Sequence, residues 1–466
     1  MEQPRMGLKR TSATCLVILL LQLMIHGCGG SDTRNSDPSN PTAESTDILT
    51  TDLAIDLQRL SGRADITLSL PAGDQEIRFE SGNLDIIRVS SDGQDLEYRH
   101  EGTDLIVTLP ASDSPVQLSI EYLFHRQTAF EGYTLDGATF TWPYFCGNLF
   151  PCHSEPADGV TYTMHLSGVT DNLTAIYPQR ITADAPAYMP AWALGDYRYL
   201  ELGQTTRGTR VGAYYKPGEA ELMQAGSRYL RDAFDFYEQT YGDYLFTDAV
   251  ASVSVDWGGQ QFGGMEHHPY WHISDQSLDD PLIPIHEAAH GWYGNGVRIA
   301  CWEDFVMSEG TATYLAARAY GAVAGTEYED QTWNAYQARL ERLQNSDDNK
   351  IAWPDGCNRI DILNDGLFGD APYIKGAMFL RDVEQLIGRV TLDRALRRFY
   401  QSYQSTATGM QSLIDTIEDE SGMDFSACAS AWLKSESVPG PDHCQPHPDA
   451  HSATLEQTAQ SNRQLN

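Results

Sequence analysis

The sequence of 466 residues has little positive charge: 31 Lys and Arg stand against 65 Asp and Glu, which gives a net charge of −34. A surface of this sign repels nucleic acid, so a nucleic-acid partner is excluded. The glycines and prolines follow no period, which excludes a collagen-like chain. With 41% hydrophobic residues the sequence is too apolar to be disordered, and its length is enough for two or three domains.

The sequence also lacks an apolar run long enough to span a bilayer. The run from Cys15 to Ile25 follows three basic residues and has the length and flanks of a secretory signal. It ends at Ile25-His26-Gly27-Cys28, which resembles the box of bacterial lipoproteins, whose cysteine is lipidated and becomes the first mature residue. We therefore predict a signal peptide over 1–27 and lipidation of Cys28. Because His26 is unusual in such a box, signal cleavage without lipidation is the alternative.

Residues 28–49 are rich in Ser, Asp, Asn, Thr and Pro, as expected of a flexible tether. The predicted location is the bacterial cell envelope. Gly29 follows the cysteine in place of the Asp that favours inner-membrane retention, so the outer membrane is favoured. Because the mature chain is strongly acidic, its predicted membrane contact is the lipid anchor alone.

Cysteine usage agrees with export, since six cysteines remain after Cys15 and Cys28 are set aside. No C-x-x-C pair is present, which argues against a Cys-ligated zinc site. An even number indicates disulfides, although six cysteines allow 15 pairings. Proximity in sequence favours three pairs: Cys146 with Cys152, Cys301 with Cys357 and Cys428 with Cys444.

Hydrophobic periodicity divides the rest of the chain into two predicted domains. Over 50–205 apolar residues alternate with polar ones, which predicts an antiparallel β domain. Over 206–440 the apolar spacing is mostly helical, with later helices predicted at 376–387 and 392–403. Residues 441–466 are polar and are predicted to form a tail. The predicted fold class is α+β.

The segment that carries chemistry is His286-Glu287-Ala288-Ala289-His290, preceded by Pro284 and followed by glycines. Histidines four residues apart project from one face of a helix and can bind one ion, while Glu287 points toward a bound water. Glu309 lies on a second predicted helix, and with the two histidines it fills three of the four positions of zinc. The pattern predicts one catalytic Zn²⁺; the alternative is a helix with two ordinary polar histidines.

Further motifs resemble those of peptidase family M1, the aminopeptidase N family. Gly263-Gly264-Met265-Glu266 lies upstream and Tyr373-Ile374-Lys375-Gly376-Ala377 lies downstream. The segment 150–156 (FPCHSEP) resembles the family's FPCFDEP, and Trp302-Glu303-Asp304 resembles its WND. The resemblance covers roughly 50–440 and implies a saddle-like β domain packed on a thermolysin-like catalytic domain. Members usually continue with a large helical domain; we expect this chain to stop where their catalytic domain ends and its site to be more open.

The resemblance and the zinc chemistry together imply residue roles. His286, His290 and Glu309 would hold the metal, and Glu287 would act first as general base and then as general acid. Tyr373 would donate its O–H to the developing oxyanion; alternatively it is an ordinary core aromatic.

The same resemblance implies where a substrate binds. In Gly263-Gly264-Met265-Glu266 the small residues would let an extended peptide pair with the backbone, and the carboxylate of Glu266 would hold a free N-terminal ammonium. Without the family resemblance, Gly263-Gly264 is only a turn and Glu266 a solvated acid. Two positions depart from the family's pattern. His267 replaces the usual Asn, and Trp142 stands where relatives carry an amine-binding Gln or Glu. The departures affect amine recognition rather than hydrolysis.

His267, His268 and His272 surround Pro269 and are predicted to face water, with a second metal cluster as the alternative. The predicted function is that of a lipid-anchored, zinc-dependent aminopeptidase acting on peptides. An endopeptidase or another zinc hydrolase on the same site is one alternative. A catalytically silent surface lipoprotein that only binds is the other.

Overall fold

The computed structural model describes residues 46–70, 76–109, 112, 114–128, 131–141, 145–257, 263–346, 349–357, 359–360, 365, 367–440, 444 and 447–448. They belong to one compact unit that begins at Glu44. Over these ranges no helix has both the length and the apolarity needed to cross a membrane. The predicted signal peptide, Cys28, the tether up to residue 45 and Trp142 lie outside the described residues.

Period-two alternation makes the first part of the chain β-rich, as predicted. In β2, for example, Ala64, Ile66 and Leu68 are buried while the residues between them are partly exposed. The strands of this part are β1 (Asp47–Asp56), β2 (Ser61–Ser69), β3 (Glu76–Glu80), β4 (Asp85–Ser91), β5 (Gln94–Asp95), β6 (Tyr98–Glu101), β7 (Asp104–Thr108), β8 (Val116–Leu123), β9 (Arg126–Gln127), β10 (Gly132–Thr134), β11 (Thr139–Phe140), β12 (Val160–Ser167), β13 (Thr174–Ile176), β14 (Arg180–Ala185) and β15 (Ala193–Gly195).

These strands form one large sheet and three small ones. The large sheet has the order β14-β12-β1-β2-β8-β4-β5, and its neighbours are antiparallel except for the parallel pair of β1 with β12. Thr50 of β1 pairs with Thr161 of β12, so the second neighbour of β1 comes from a part of the chain more than a hundred residues later. The small sheets are β3-β7-β6, β11-β10-β9 and β13-β15.

A second large sheet follows and positions the substrate motif. Its order is β16-β17-β18-β20-β19, with bounds β16 (Arg198–Gln204), β17 (Arg210–Tyr215), β18 (Ala249–Val255), β19 (Gly264–Met265) and β20 (Tyr270–Ser274). β18 is parallel to both of its neighbours and is buried along nearly all its length. The predicted boundary between residues 205 and 206 lies in the hairpin of β16 and β17. β19 is the edge strand of this sheet, one residue after Gly263.

The rest of the chain is mainly helical, which confirms the predicted α+β class. The buried residues of the second helix recur every three or four positions, as expected for one face packed on a core. The helices are α1 (Ala220–Ser227), α2 (Leu230–Tyr241), α3 (Leu282–Ala289), α4 (Phe305–Ala324), α5 (Thr326–Leu343), α6 (Asp370–Ile387), α7 (Arg389–Tyr403), α8 (Met410–Ser421) and α9 (Ser426–Leu433).

Short elements connect these helices. The 3-10 helices are Phe145–Asn148, Asp275–Ser277 and Trp302–Asp304, and the remaining strands are β21 (Arg298–Ile299), β22 (Ala407–Thr408), β23 (Met423–Asp424) and β24 (His447–Pro448). β24 pairs with β23, so two residues of the predicted polar tail join a small sheet.

Helices α4 and α6 cross in backbone contact through two glycines. A Cβ atom on Gly310 would lie 2.7 Å from the Cα of Gly376, and a Cβ atom on Gly376 would lie 2.7 Å from the Cα of Gly310. Only glycine permits this approach. Because Glu309 precedes Gly310 and Tyr373 lies one turn before Gly376, the crossing sets the spacing of these two candidate site residues.

Three disulfides link the six cysteines in the pairs that proximity favours. Cys146 is bonded to Cys152, Cys301 to Cys357, and Cys428 to Cys444. The second bond closes the longest loop, with a sequence separation of 56, and attaches residue 357 to the segment just before α4.

Candidate metal centre

Helices α3 and α4 bring two histidines and one carboxylate together. His286 Nε2 lies 3.2 Å from His290 Nε2 and 3.2 Å from Glu309 Oε2, and His290 Nε2 lies 3.4 Å from Glu309 Oε2. The side chains of His290 and Glu309 are 1% and 6% exposed, whereas that of His286 is 17% exposed. The three ligand atoms thus form a nearly equilateral triangle, which is buried except at His286.

This triangle fits a zinc ion. Tetrahedral bonds of about 2.0–2.1 Å from zinc to nitrogen and oxygen place ligand atoms roughly 3.3 Å apart, which matches the observed separations. A set of two imidazoles and one carboxylate leaves one tetrahedral position for water or substrate. The donor set and its spacing are therefore those of a catalytic rather than a structural zinc site.

Backbone groups orient His290 for this task. Its Nδ1–H donates to the carbonyl oxygen of Tyr293 at 3.0 Å, and Ser308 Oγ lies 3.2 Å from the same nitrogen. This leaves Nε2 to face the other two candidate ligands. Gly294, with φ of 112°, makes room for the ring, since a Cβ there would lie 2.8 Å from Nδ1.

The electrostatics of the site favour a cation. Burial alone would raise the pKa of Glu309, but the neighbouring His290 and His286 lower it to about 2. Burial alone would lower the pKa of His290, but Glu309, Glu266 and Glu287 raise it to about 10. A buried centre surrounded by three carboxylates stabilises positive charge, and a divalent metal supplies that charge.

Glu287 lies against the edge strand of the second sheet. It is 6% exposed, and its carboxylate contacts the backbone of Gly264 so closely that a Cβ at Gly264 would collide with it. Burial raises the pKa of Glu287 well above its ordinary value, and Glu266 and Glu309 raise it further against the opposing effect of His290. A carboxylate with a raised pKa is basic enough to accept a proton from water near neutral pH.

Tyr373 lies on the other side of the site, on the first turn of α6. Its ring stacks on that of His286, with centroids 6.2 Å apart and an angle of 27° between the planes. Burial raises the pKa of the Tyr373 phenol well above its ordinary value, and nearby carboxylates raise it further, so the phenol stays protonated and can donate a hydrogen bond.

Lys375 fixes the helix that carries Tyr373. It is 0% exposed, and its ammonium donates to three backbone carbonyls, at 2.8 Å to Lys350, 2.9 Å to Ser435 and 3.2 Å to Glu436. All three N–H groups are thereby used. Burial lowers the pKa of Lys375 to about 8. Lys375 thus joins α6 to two distant segments and does not face the metal centre.

Glu266 adjoins the metal centre from the substrate side. It is 5% exposed, and its carboxylate falls with Glu287 and His290 into one group whose polar atoms lie within 4.8 Å of one another. Burial raises the pKa of Glu266 to about 7, with Glu309 adding to the effect and His290 opposing it. Its backbone oxygen accepts a hydrogen bond from Asn295 Nδ2 at 2.9 Å. A carboxylate held in this way is well placed to accept a substrate ammonium.

The expectation that His267, His268 and His272 face water is wrong, since they are 1%, 0% and 1% exposed. They are buried because backbone and hydroxyl groups supply hydrogen-bond partners. His268 lies between Tyr244 Oη at 2.9 Å and the Glu287 carbonyl oxygen at 2.8 Å. The three do not form one of the three-ligand groups found among the described residues.

His267 connects the second large sheet to the β-rich first part of the chain. Its Nδ1–H donates to the carbonyl oxygen of Tyr188 at 2.8 Å, and Thr141 Oγ1 donates to the same oxygen at 2.6 Å. Sequence reasoning missed Tyr188, which follows β14 and lies beside the site. Burial raises its pKa, and the charges of Glu266 and Glu309 raise it further. No local motif marks it, because its position depends on a contact 79 residues away.

Arg339, on α5, is a second residue that sequence reasoning missed. Burial raises the pKa of Tyr373 and lowers that of His286; the positive charge of Arg339 opposes the first shift and adds to the second. Its Nε lies 3.3 Å from Asp370 Oδ2, and Nη2 bonds to the other oxygen of the same carboxylate. Neither Arg339 nor Asp370 belongs to a sequence motif.

The Trp302-Glu303-Asp304 motif is structural. Asp304 Oδ1 accepts hydrogen bonds from the backbone N–H of Met410 at 2.8 Å and from Trp353 Nε1 at 3.1 Å. Glu303 Oε1 accepts one from the backbone N–H of Arg359 at 2.6 Å. These carboxylates therefore hold neighbouring loops at the start of α4 and contribute to the site by positioning that helix.

Comparison with known proteins agrees with this arrangement. Residues 272–432, which include the candidate ligands, Glu287 and Tyr373, match the family model described as the peptidase family M1 domain. Residues 272–432 thus form a peptidase family M1 domain. The cofactor of this family is zinc, in agreement with the donor set found here.

Curated relatives are about a quarter identical to this chain over the aligned residues. It is 24% identical over 326 residues to the alanine/arginine aminopeptidase of Saccharomyces cerevisiae, a match that covers 62% of this chain and 37% of the relative. It is 25% identical over 445 residues to a leukotriene A-4 hydrolase homolog of Botryotinia fuckeliana, covering 83% and 66%. The chain thus spans about a third of the length of the first relative.

Solved structures show the same fold. An M1 zinc metallopeptidase from Deinococcus radiodurans superposes with a TM-score of 0.70 at 16% identity, covering 87% of this chain and 97% of that one. Yeast LTA4 hydrolase in complex with bestatin gives a TM-score of 0.72 at 20% identity, covering 90% and 72%. The β-rich part followed by a helical part is therefore shared with M1 enzymes.

Proposed function

We propose that this chain is a zinc-dependent aminopeptidase that removes N-terminal residues from peptides. The observation that carries the proposal is the triangle of His286, His290 and Glu309, with Glu287 and Tyr373 beside it. The Deinococcus radiodurans fold relative, of nearly the same length, has a mutant form bound to a Tyr-Ser-Ala substrate. That likeness supports a peptide as the substrate class.

The roles of the residues follow from their positions. When bound by the triangle, zinc supplies Lewis acidity at the scissile carbonyl. Glu287 accepts a proton from the attacking water and then delivers one to the leaving amine. Tyr373 donates its phenolic O–H to the oxygen that gains negative charge. Glu266 binds the free ammonium of the substrate, and β19 at the sheet edge pairs with the extended peptide backbone.

The proposal is tested with fluorogenic aminoacyl amides, each beside its N-acetylated twin. We expect turnover only with a free amine, and a fall in kcat/KM of about 10–100-fold in Glu266→Gln, because a charged hydrogen bond is lost. Equal cleavage of the acetylated twins would favour the endopeptidase alternative. Zinc bound without any turnover would favour a protein that only binds peptides.

We further propose that the chain is exported and anchored through a lipid on Cys28. The proposal rests on the signal-like sequence of residues 1–27 and is consistent with three disulfides, which persist in oxidising compartments. Bacteria grown with an alkyne-tagged fatty acid should label the full chain and not Cys28→Ala. Labelling of the variant, or cleavage of the wild-type chain at another position, would refute the anchor.

A further inference from the structure

The charged residues around the metal centre are arranged with a polarity. Glu266 and Glu287 group with His290, on one side of the triangle. Tyr373 stacks on His286, and Arg339 is bound to Asp370, three residues before Tyr373 on α6. Two carboxylates therefore group with His290, whereas a guanidinium, paired with Asp370, lies near the residue that contacts His286. A peptide in its ordinary ionised form has the complementary polarity, with an ammonium at one end and a carboxylate at the other.

Arg339 is placed near the reacting groups by a short chain of contacts. Its guanidinium binds both oxygens of Asp370, the first residue of α6. Asp370 lies three residues before Tyr373, so the two side chains lie on the same face of the helix. Tyr373 in turn contacts the ring of His286. Arg339 is thus bound to a residue that lies one helical turn before the group expected to donate to the oxyanion.

The ion pair of Arg339 with Asp370 is partly exposed to solvent. The two side chains are 38% and 39% exposed, and a pair this exposed contributes little to stability. A guanidinium carries five N–H donors in a planar fork, and the contacts with Asp370 use two of its nitrogens. The remaining donors can bind a second carboxylate, a geometry in which Arg is favoured over Lys.

We infer that Arg339 binds the C-terminal carboxylate of short peptide substrates, so that the enzyme prefers dipeptides and tripeptides with a free C-terminus. The inference rests on the proposed peptidase function and defines its substrate class. An extended chain advances about 3.3–3.6 Å per residue, so a dipeptide or tripeptide places its two charged ends only about 7–11 Å apart. Glu266 and Arg339 would then hold the two ends of one short peptide.

The test compares Ala-Ala-Ala with Ala-Ala-Ala amide, and Ala-Ala with Ala-Ala amide, by release of N-terminal alanine. The wild-type enzyme should favour the free carboxylate by about tenfold or more in kcat/KM, the range expected for a charge-assisted hydrogen bond. In Arg339→Gln this ratio should fall to about one. Arg342→Gln, which removes the same charge one turn further along α5, should keep the wild-type ratio.

Two further variants separate recognition from structure. Asp370→Asn breaks the ion pair but leaves the guanidinium, so the ratio should persist or rise; if Arg339 only held α6, Asp370→Asn and Arg339→Gln would behave alike. Arg339→Lys keeps the charge without the fork and should give an intermediate ratio. These two variants decide the question even if Arg339→Gln fails to fold.

A binding measurement makes the test independent of turnover. In the Glu287→Gln background, calorimetry should show tighter binding of Ala-Ala-Ala than of its amide, and Arg339→Gln should abolish the difference. A wild-type ratio of one with active turnover overturns the inference and leaves the aminopeptidase proposal intact. A ratio that persists in Arg339→Gln also overturns it. Loss of all turnover with zinc bound overturns the proposed function, and the calorimetric difference still decides the role of Arg339.

Discussion

Two pairs of buried histidines have almost the same geometry and different chemistry. The rings of His286 and His290 lie 4.9 Å apart at 81°, and those of His267 and His272 lie 4.9 Å apart at 80°. The first pair faces the carboxylate of Glu309. The second pair is enclosed by backbone groups and aromatic rings, and His267 donates to a carbonyl oxygen.

The two histidine pairs differ in the protonation state of their rings. Burial lowers the pKa of His272 to about 3, so this histidine is neutral at every physiological pH. The carboxylates near His290 reverse the effect of burial and raise its pKa to about 10 in the metal-free protein. Neither burial nor the angle between two rings therefore makes a metal site. A carboxylate positioned against both imidazoles makes one, because it offsets the cost of placing positive charge in the interior.

The largest effect is expected from removing the carboxylate of Glu309, which distinguishes the first histidine pair from the second. In Glu309→Gln we expect the zinc content to fall from about one ion per chain to near zero, with loss of peptidase activity, because two neutral imidazoles alone do not complete the site. Mass spectrometry of the purified protein measures the zinc. His272→Gln is the matched control and should retain its zinc; full zinc in Glu309→Gln would contradict the assignment.

The second prediction separates metal binding by His286 and His290 from proton transfer by Glu287, which lies between them in sequence. Glu287→Gln keeps the shape of the side chain and removes its basicity. Zinc should stay bound, while kcat falls by about 10²–10⁴-fold, the contribution expected of a general acid-base group. Steady-state kinetics together with metal analysis measures both. An equal loss of zinc and activity would show that Glu287 supports the metal instead.

The third prediction concerns the backbone contact beside Glu287. A methyl group at Gly264 would collide with the Glu287 carboxylate, whereas one at Gly263 would meet the flexible end of Ile283. Gly264→Ala should lower kcat by about 10–100-fold, because displacement of a catalytic group by about 1 Å is costly. Gly263→Ala is the neighbouring control. Similar kinetics for the two variants would mean that Glu287 tolerates displacement.

The smallest effect is expected from the second histidine pair, on stability rather than activity. The folded protein keeps His272 neutral down to about pH 3, whereas the unfolded chain binds a proton below about pH 6.5. Stability from this group is therefore fully present above pH 6.5 and is lost as pH falls toward 3. The wild-type slope of unfolding free energy against pH should exceed that of His272→Gln by up to about 1.4 kcal/mol per pH unit.

Urea unfolding between pH 5 and 7 measures this difference. Wild type and variant have the same candidate zinc ligands, so subtracting one slope from the other isolates the histidine. Identical slopes would show that His272 takes up a proton in the folded protein.

The spacing of residues in the sequence was enough to predict the candidate zinc ligands, but it did not predict the residues that surround them. Histidines four residues apart must share a helix face, so His286 and His290 could be paired from sequence alone. The expectation for His267, His268 and His272 failed because their hydrogen-bond partners are remote, as with the Tyr188 carbonyl 79 residues away from His267. Arg339 was missed for the same reason, since α5 and α6 bring it to Asp370 across 31 residues.

The second sheet shows the same limit at the level of fold. Period-two alternation predicted the strands of the first part, whose sheet has one polar and one apolar face. β18 is buried on both faces and is parallel to both neighbours. Its sequence AVASVSV therefore does not alternate between residues that face solvent and residues that face the core. Its assignment requires knowledge of which elements cover it.

The three carbonyls that receive the Lys375 ammonium define where the folded unit can be shortened. The family match ends at residue 432, yet two of the acceptors belong to Ser435 and Glu436. A chain cut at the end of the family match would leave a buried positive charge with a single acceptor, on the helix that carries Tyr373. The folded unit therefore extends at least to residue 436, and the Cys428–Cys444 disulfide extends it further, so sequence similarity alone would place its end too early.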